Sequence, residues 1–374
     1  MKKYIHLIIF IACLFLFASC NQEQEKTEWK GTIEEVDGVT VVRNPNAPMT
    51  QGDIFTLEED LSIEQIDGME EYIFEYLWEI LVDEKENIYS INYTGRGREP
   101  HIRVFDRLGK YIRNIGRMGQ GPGEFTQVAH LQITPNNELM VIDANSSKLS
   151  FFSLDGDYLR RTPYLGVRAN NVRVNSNGNY FFYSVEYQSQ KVSDSIPYAA
   201  NKLELFGPDF NFIKLVVKDE YRNIDGAIAP PWMIIRFPSL DFAICGFSEI
   251  YEFQIYDLNG HLVQKISRNF DPVEIGEYEK EKRDWTGRKG LPKYFPAFND
   301  FSIDEDGKIY VQTFEREMEK DKFYFDVFDS EGKYIAKIPL NSLPKYWKNG
   351  KMYAAEEDEN GYVYIKRYKV TWNY

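Results

Sequence analysis

Short apolar runs alternate with tight polar turns along most of the chain. Residues 301–338 show the pattern most clearly, with turns at 304–307 and 329–332 that begin with Asp and end with Gly. Such turns between runs of β-branched and aromatic residues are typical of β-hairpins. The pattern predicts four short antiparallel strands in this stretch.

The same pair of hairpins recurs along the chain. The second hairpin has turn positions at Gly109, Gly156, Phe210, Gly260 and Gly332, which are 47, 54, 50 and 72 residues apart. The first hairpin recurs at 82–89, 133–141, 174–182, 238–245, 303–311 and 358–365. A period near 50 indicates blades or solenoid units, because one four-stranded sheet cannot bury both of its faces alone.

Six first hairpins against five second hairpins leave the last unit without its outer strands. Two β-like runs near the other end of the chain, 39–42 and 54–66, are unassigned and can complete it. Pairing of the chain ends closes a ring and removes the free sheet edge. We therefore predict an all-β six-bladed β-propeller of four-stranded blades, closed by N-terminal strands that complete the C-terminal blade. A capped linear solenoid is the alternative, although its terminal repeats would be polar caps.

The first residues of the chain predict export. Lys2 and Lys3 precede an apolar stretch at 7–17, and the run Phe-Ala-Ser-Cys ends at Cys20. This arrangement resembles the signal of bacterial lipoproteins, which implies cleavage before Cys20, acylation of that residue and membrane lipid as a partner. An ordinary secretory signal is the alternative.

The sequence divides into three predicted parts: a signal peptide over 1–19, the lipidated cysteine with a polar tether over 20–33, and the propeller over 34–374. Asn21 after the cysteine is similar to the pattern of outer-membrane lipoproteins. This resemblance implies an outer-membrane lipoprotein whose globular part faces the periplasm or the cell surface.

Charge and cysteine content narrow the range of possible binding partners and chemical roles. The chain has a net charge of −14, and loss of Lys2 and Lys3 with the signal makes it more negative still. Because nucleic-acid binding needs a basic surface, we expect no nucleic-acid partner. Of the three cysteines, Cys13 leaves with the signal and Cys20 is acylated, so Cys245 remains alone and is predicted to be buried.

Residues 115–125, Ile-Gly-Arg-Met-Gly-Gln-Gly-Pro-Gly-Glu-Phe, lie between a second hairpin and the next first hairpin. With the opening segment at 35–39 and Asn44-Pro45, they resemble the NHL-like six-bladed propeller lipoproteins of Bacteroidetes. The resemblance implies the fold and the cellular location, and it brings no catalytic residues. We interpret the glycines as an interblade loop, since a phosphate-binding loop would lead into a helix.

The meander topology predicts which face binds a ligand. First-to-second and third-to-fourth turns are tight and share one face, whereas the long loops share the opposite face, termed the long-loop face. Loops longer than about 12 residues are usually functional or disordered. Arginines and aromatic residues around a central funnel suit carbohydrate or carboxylate recognition. The candidate ligand-binding residues are Arg96, Arg98, Arg117, His130, Tyr187, Trp232 and Arg236.

These observations favour a lipid-anchored binding or scaffold module for a glycan, peptide or partner protein, without a cofactor. The alternative is a metal-dependent hydrolase or lyase with its site in the central channel. His101, His130 and His261 are spread over a strand start, a loop and a turn, so they do not predict a metal site. No serine-hydrolase motif is recognisable.

Overall fold

The computed structural model describes residues 28–52, 54–95, 99–163, 169–187, 198–222, 233–282, 291–317 and 322–373. These residues form six sheets, the blades of a β-propeller, which confirms the predicted fold. The first strands of blades 1 and 2, of blades 2 and 3, and of blades 4 and 5 lie side by side, and that of blade 6 lies beside that of blade 1. The ring is therefore closed.

Blades 1 to 3 are four-stranded antiparallel meanders. Blade 1 contains Tyr76–Val82, Ile88–Thr94, Glu99–Phe105 and Tyr111–Ile115. Blade 2 contains Val128–Ile133, Glu138–Asp143, Lys148–Ser153 and Tyr158–Pro163. Blade 3 contains Ala169–Val174, Tyr180–Tyr187, Tyr198–Phe206 and Phe212–Arg222.

Blades 4 and 6 include strands from the N-terminal part of the chain, whereas blade 5 does not. Blade 4 contains Met233–Arg236, Phe242–Phe247, Glu252–Asp257 and Leu262–Arg268, with Val39–Asn44 and Thr32–Val36 added outside them. Blade 5 contains Asp300–Ile303, Ile309–Glu317, Lys322–Phe328 and Tyr334–Leu340. Blade 6 contains Tyr346–Lys348, Lys351–Glu357, Val363–Trp372 and Phe55–Ile63. Connecting segments hold the short strands Arg117–Met118 and Glu124–Phe125, a 3-10 turn at Glu70–Tyr72 and the helix Glu277–Lys282.

Aspartate side chains explain why the hairpin sequence recurs. One Asp106 oxygen accepts the Leu108 and Lys110 N–H groups at 2.8 and 2.9 Å, which fixes the third-to-fourth turn of blade 1. This is the usual way in which Asp stabilises a turn. The five predicted turn positions all have positive φ, including Phe210 at 57°, where a side chain is rarely tolerated. All five second hairpins are therefore confirmed.

The ring is closed by one N-terminal strand. Phe55–Ile63 pairs antiparallel with Val363–Trp372 as the outermost strand of blade 6. Ile54 and Ile63 are buried, and the Phe55 ring packs against Trp372 with centroids 4.9 Å apart. The predicted closure by the chain ends is confirmed, with one strand supplied rather than two.

The prediction of a first hairpin at 358–365 is wrong. The turn at 358–361 joins the second and third strands of blade 6, and the first hairpin turns at Asn349-Gly350, between Tyr346–Lys348 and Lys351–Glu357. Both turn residues have positive φ. An Asn-Gly pair forms a two-residue turn without an aspartate. A search for Asp-rich turns therefore does not find this hairpin.

The other N-terminal run lies on a different blade from the one expected. Val39–Asn44 pairs parallel with Leu262–Arg268 at the edge of blade 4, and Thr32–Val36 forms the outer strand of the same hairpin. The predicted domain boundary at residue 34 falls inside this outer strand. The run 39–42 therefore extends blade 4 and takes no part in closing the ring.

The segment 32–63, termed the N-terminal belt, contacts three consecutive blades. Its hairpin extends blade 4, the N–H groups of Met49 and Thr50 donate to Tyr334 and Ile335 of blade 5, and Phe55–Ile63 completes blade 6. The belt therefore ties together the outer edges of half the ring.

A buried charged cluster joins blades 4 and 5. The Asp326 carboxylate is fully buried and accepts hydrogen bonds from the Tyr251 hydroxyl at 2.5 Å, the Tyr334 hydroxyl at 2.6 Å and the Arg268 guanidinium. Arg268 also donates to the backbone carbonyl of Asn46 in the belt at 2.9 Å. A buried carboxylate needs such partners, so the cluster fixes how these two blades and the belt meet.

Candidate functional site

A cleft of about 500 Å³ opens on the long-loop face above the first strands of blades 1 to 3. Its volume is within the range of small-molecule sites. The lining residues come from strand ends and short connections: Tyr76, Trp78, Tyr93, Thr126, Gln127, Val128, Ala129, Ala144, Asn145, Ala169 and Asn170. The cleft thus lies on the predicted ligand-binding face, beside the central channel.

Two aromatic side chains form the exposed wall of the cleft. Tyr76 and Trp78 are 49% and 42% exposed, and their ring centroids are 6.0 Å apart. The Trp78 indole N–H donates to the Ala129 carbonyl at 2.7 Å, which holds the ring in place. Nearby, the Tyr93 hydroxyl donates to the Val128 carbonyl at 2.5 Å. The indole therefore has a satisfied N–H and a face open to solvent, an arrangement that suits ligand stacking.

The floor of the cleft is held by a buried carboxylate. Asp143, at the end of the second strand of blade 2, accepts the Thr126 N–H at 2.9 Å, the Thr126 hydroxyl at 3.0 Å and the Gln127 N–H at 3.2 Å. These bonds fix the start of the first strand of blade 2. The floor is therefore preorganised before any ligand binds.

Ionisable side chains from all six blades surround the channel deeper than the cleft. Each belongs to the first strand of its blade or to the residue just before that strand. We term them the channel ring: Glu79, His130, Arg173, Arg236, Asp300 and Lys345.

Glu79 connects the first three blades within the channel ring. Its carboxylate accepts the Leu131 N–H at 2.9 Å and an Arg173 N–H at 3.2 Å, and lies 3.5 Å from His130 Nδ1. Burial alone would raise the pKa of Glu79, but His130, Arg173 and the Leu131 N–H together hold that pKa below its usual value. Glu79 is therefore ionised and fully engaged with its neighbours.

Arg236 and Asp300 form the second ion pair of the channel ring. The guanidinium binds both Asp300 oxygens, at 2.5 and 2.7 Å, and its Nε donates to the Phe301 carbonyl at 3.0 Å. Asp300 also accepts the Phe301 N–H at 2.7 Å. Both contacts come from one guanidinium nitrogen, and hydrogen bonds between ionised groups are stronger than those between neutral groups. Both groups are therefore occupied.

Lys345 is the remaining cation of the channel ring. Its side chain is exposed to solvent, and within the described ranges its ammonium group makes no ion pair or side-chain hydrogen bond. The surrounding protein lowers the pKa of Lys345, an effect that Asp300 and Glu79 oppose and Arg236 reinforces. With Arg173 and Arg236 neutralised by Glu79 and Asp300, and with His counted as neutral, Lys345 gives the ring an excess of one positive charge.

The predicted ligand-binding residues do not all meet. His130 and Arg236 lie in the channel ring. Arg117 does not, because it pairs with Glu124 at 2.7 Å across the glycine-rich interblade loop. Tyr187 ends the strand Tyr180–Tyr187, and its side chain is outside the described part. The predicted residues at positions outside the described ranges are Cys20, Arg96, Arg98 and Trp232.

Sequence reasoning missed most of the site, although a signal was present. Glu79 and Asp300 each lie four residues before the aspartate that begins the first turn of their blade, Asp83 or Asp304. His130 has the same offset from Thr134. Comparing this one position across blades would have found half of the channel ring.

Among the described residues, no group of three or more His, Cys, Asp and Glu side chains is placed to hold a metal ion. No helix within the described ranges is long and apolar enough to cross a membrane. Cys245 is buried, as predicted.

Fold and site together define a six-bladed β-propeller with a cleft at the mouth of its central channel. The chain belongs to the DUF5128 family, described as a 6-bladed beta-propeller, whose family model matches residues 94–365. No curated protein matches the sequence significantly.

Several solved structures are similar to this chain at low sequence identity. A protein from Bacteroides fragilis described as exported is 14% identical, with a TM-score of 0.60, over 90% of this chain and 100% of its own. A DUF4221 family member from Bacteroides vulgatus is 12% identical, with a TM-score of 0.48, over 85% and 99%. Virginiamycin B lyase from Staphylococcus aureus is 12% identical, with a TM-score of 0.40, over 85% and 99%.

Proposed function

We propose that this protein is a binding module that binds a glycan in the cleft of the long-loop face. The observation that carries the proposal is the pair of exposed rings, Tyr76 and Trp78, next to a polar floor. Aromatic faces stack on the C–H faces of sugars. The amides of Gln127, Asn145 and Asn170 are of the type that binds sugar hydroxyls.

The size of the cleft supports a small ligand or the end of a longer chain. Stable protein–protein interfaces bury about 800 Å² on each partner. A cleft of about 500 Å³ with eleven lining residues is better matched to a few sugar units. A folded protein partner is therefore not favoured at this site, and a peptide is an outcome that the binding test distinguishes.

Trp78→Ala is expected to weaken glycan binding by roughly tenfold or more, since a stacked aromatic ring contributes about 1 kcal/mol beyond its buried area. Glycan arrays identify the bound sugars, and calorimetry measures the change. Phe212→Ala is the matched control, because Phe212 is 56% exposed at the tight-turn face, away from the cleft. Selective binding of peptides instead of glycans, or equal affinities for the two variants, would overturn the proposal.

The cellular location belongs to the same proposal. We place the protein at the outer membrane, among the NHL-like lipoproteins of Bacteroidetes that its sequence resembles, held by an acylated Cys20. The signal-like residues before Cys20 and the polar segment after it support this. The description of the Bacteroides fragilis neighbour as exported agrees with it. The propeller would then present its long-loop face to glycans outside the cytoplasm.

Cys20→Ser is expected to abolish incorporation of radiolabelled palmitate and to move the protein out of the membrane fraction, since only a thiol accepts the diacylglycerol. Cys245→Ser is the control, because Cys245 is buried inside the propeller and should not affect processing. Persistent labelling of the Cys20→Ser variant would show that the anchor is elsewhere.

A further inference from the structure

The channel ring lies just below the proposed glycan cleft. Trp78 and Glu79 are consecutive on the first strand of blade 1, and Ala129 and His130 are consecutive on that of blade 2. At about 3.3 Å per residue, the ring lies within roughly one to three residue lengths of the cleft lining. A ligand seated on Trp78 can therefore extend a substituent into the channel.

The charges of the channel ring indicate which substituent it receives. Both carboxylates are satisfied: Glu79 by Leu131, Arg173 and His130, and Asp300 by Arg236 and Phe301. Neither has a free charge to offer a cationic ligand. The excess charge is on Lys345, which is exposed to the channel and has no close acceptor among the described residues.

The positive charge of Lys345 contrasts with the net negative charge of the rest of the protein. The whole chain carries a net charge of −14, so its surface generally repels anions. Protein around Lys345 lowers the pKa of its ammonium group, and an anion in contact would favour the charged form again. The channel walls also reduce screening by solvent, which strengthens a pair formed there.

We propose that the glycan bound in the cleft is acidic, and that its carboxylate enters the channel and pairs with Lys345. This inference rests on the proposed function and adds the chemical class of the ligand. Arg236 and Arg173 lie beside the ligand carboxylate but keep their pairs with Asp300 and Glu79. Lys345 therefore supplies the contact by which the protein binds a uronic acid in preference to a neutral sugar.

The test measures protection of the Lys345 amine from acetylation, using mass spectrometry of the full-length protein. The probes are sodium glucuronate, glucose and sodium sulfate, each compared with sodium chloride at matched ionic strength. Glucuronate is expected to slow acetylation of Lys345 at least threefold, and glucose is expected to have no effect. Lys110, exposed in the tight turn of blade 1, is the internal control and should react equally throughout.

Each outcome decides the proposal. Protection by glucuronate that is specific to Lys345 supports it, and Lys345→Met should then lose any preference for an acidic oligosaccharide over its methyl ester. Protection by sulfate but not by glucuronate would indicate an inorganic anion site and overturn the acidic-sugar assignment, as would equal rates at Lys345 with every probe. These results are distinct from failure of the glycan proposal, which is judged by Trp78→Ala and the arrays.

Discussion

Deletion of residues 1–69 is expected to abolish the single cooperative unfolding transition of the propeller and to leave an aggregating protein. The deletion removes Phe55–Ile63, the only partner of the outer edge of Val363–Trp372 within the described structure. It also removes the buried side chains of Ile54 and Ile63 from the core. An unpaired strand edge promotes pairing with other chains. Calorimetry and size-exclusion chromatography measure both effects.

A shorter deletion provides the control. Removal of residues 1–45 takes away the hairpin on blade 4 but keeps Phe55–Ile63, so this variant should keep the parent's oligomeric state and cooperative unfolding, with a lower Tm. Conversely, cysteines at Thr56 and Thr371, which are paired and exposed, should form a disulfide that raises the Tm in the absence of reductant. A soluble protein without residues 1–69 that melts like the parent would refute closure by this strand.

Asp326→Ala is expected to destabilise the protein by about 3–5 kcal/mol, the usual cost of leaving one buried charge without its partner. The substitution leaves the Arg268 guanidinium and the hydroxyls of Tyr251 and Tyr334 without their acceptor between blades 4 and 5. Denaturant titration gives the free energy of unfolding. The double variant Arg268→Met with Asp326→Leu should recover much of the loss, because it removes both charges and keeps apolar volume.

The matched control for this prediction is Glu138→Ala. Glu138 pairs with Arg160 through two hydrogen bonds of 2.7 Å at the surface, where Arg160 is about half exposed. Exposed pairs contribute about 0–1 kcal/mol, so this variant should unfold nearly as the parent does. Comparable losses from Asp326→Ala and Glu138→Ala would show that burial of the Asp326 cluster has no special role in joining the blades.

The sequence could predict the blades because their turns are specified locally. Asp106 bonds the backbone of its own turn, so the turn pattern contains the information that forms it. The pairing of Val39–Asn44 is different. The strand is apolar enough for a sheet edge, but nothing in it distinguishes blade 4 from blade 6, and the choice depends on distant contacts such as those of Asn44 with Ser267 and Gly332.

The site was harder to predict because it exists only after the ring closes. Lys345 becomes a channel residue by facing Asp300 and Glu79, which lie in other blades, and no local pattern specifies that meeting. Arg117 illustrates a different difficulty. It is a loop arginine on the correct face, but a carboxylate seven residues away, Glu124, binds it. A position in a loop therefore does not distinguish an arginine that contacts a ligand from one that bonds within its own loop.

The N-terminal belt has a consequence for the order in which the protein is made. The chain emerges from its N-terminus, yet Phe55–Ile63 pairs with Val363–Trp372, and Glu59 bonds Lys366 across 307 residues of sequence. Phe55–Ile63 must wait without its partner strand until Val363–Trp372 has been made, and both sheet edges stay open to neighbouring chains during that time. The aggregation-prone period of a newly made molecule therefore ends only when Val363–Trp372 is available to pair with Phe55–Ile63, and not when the first blade folds.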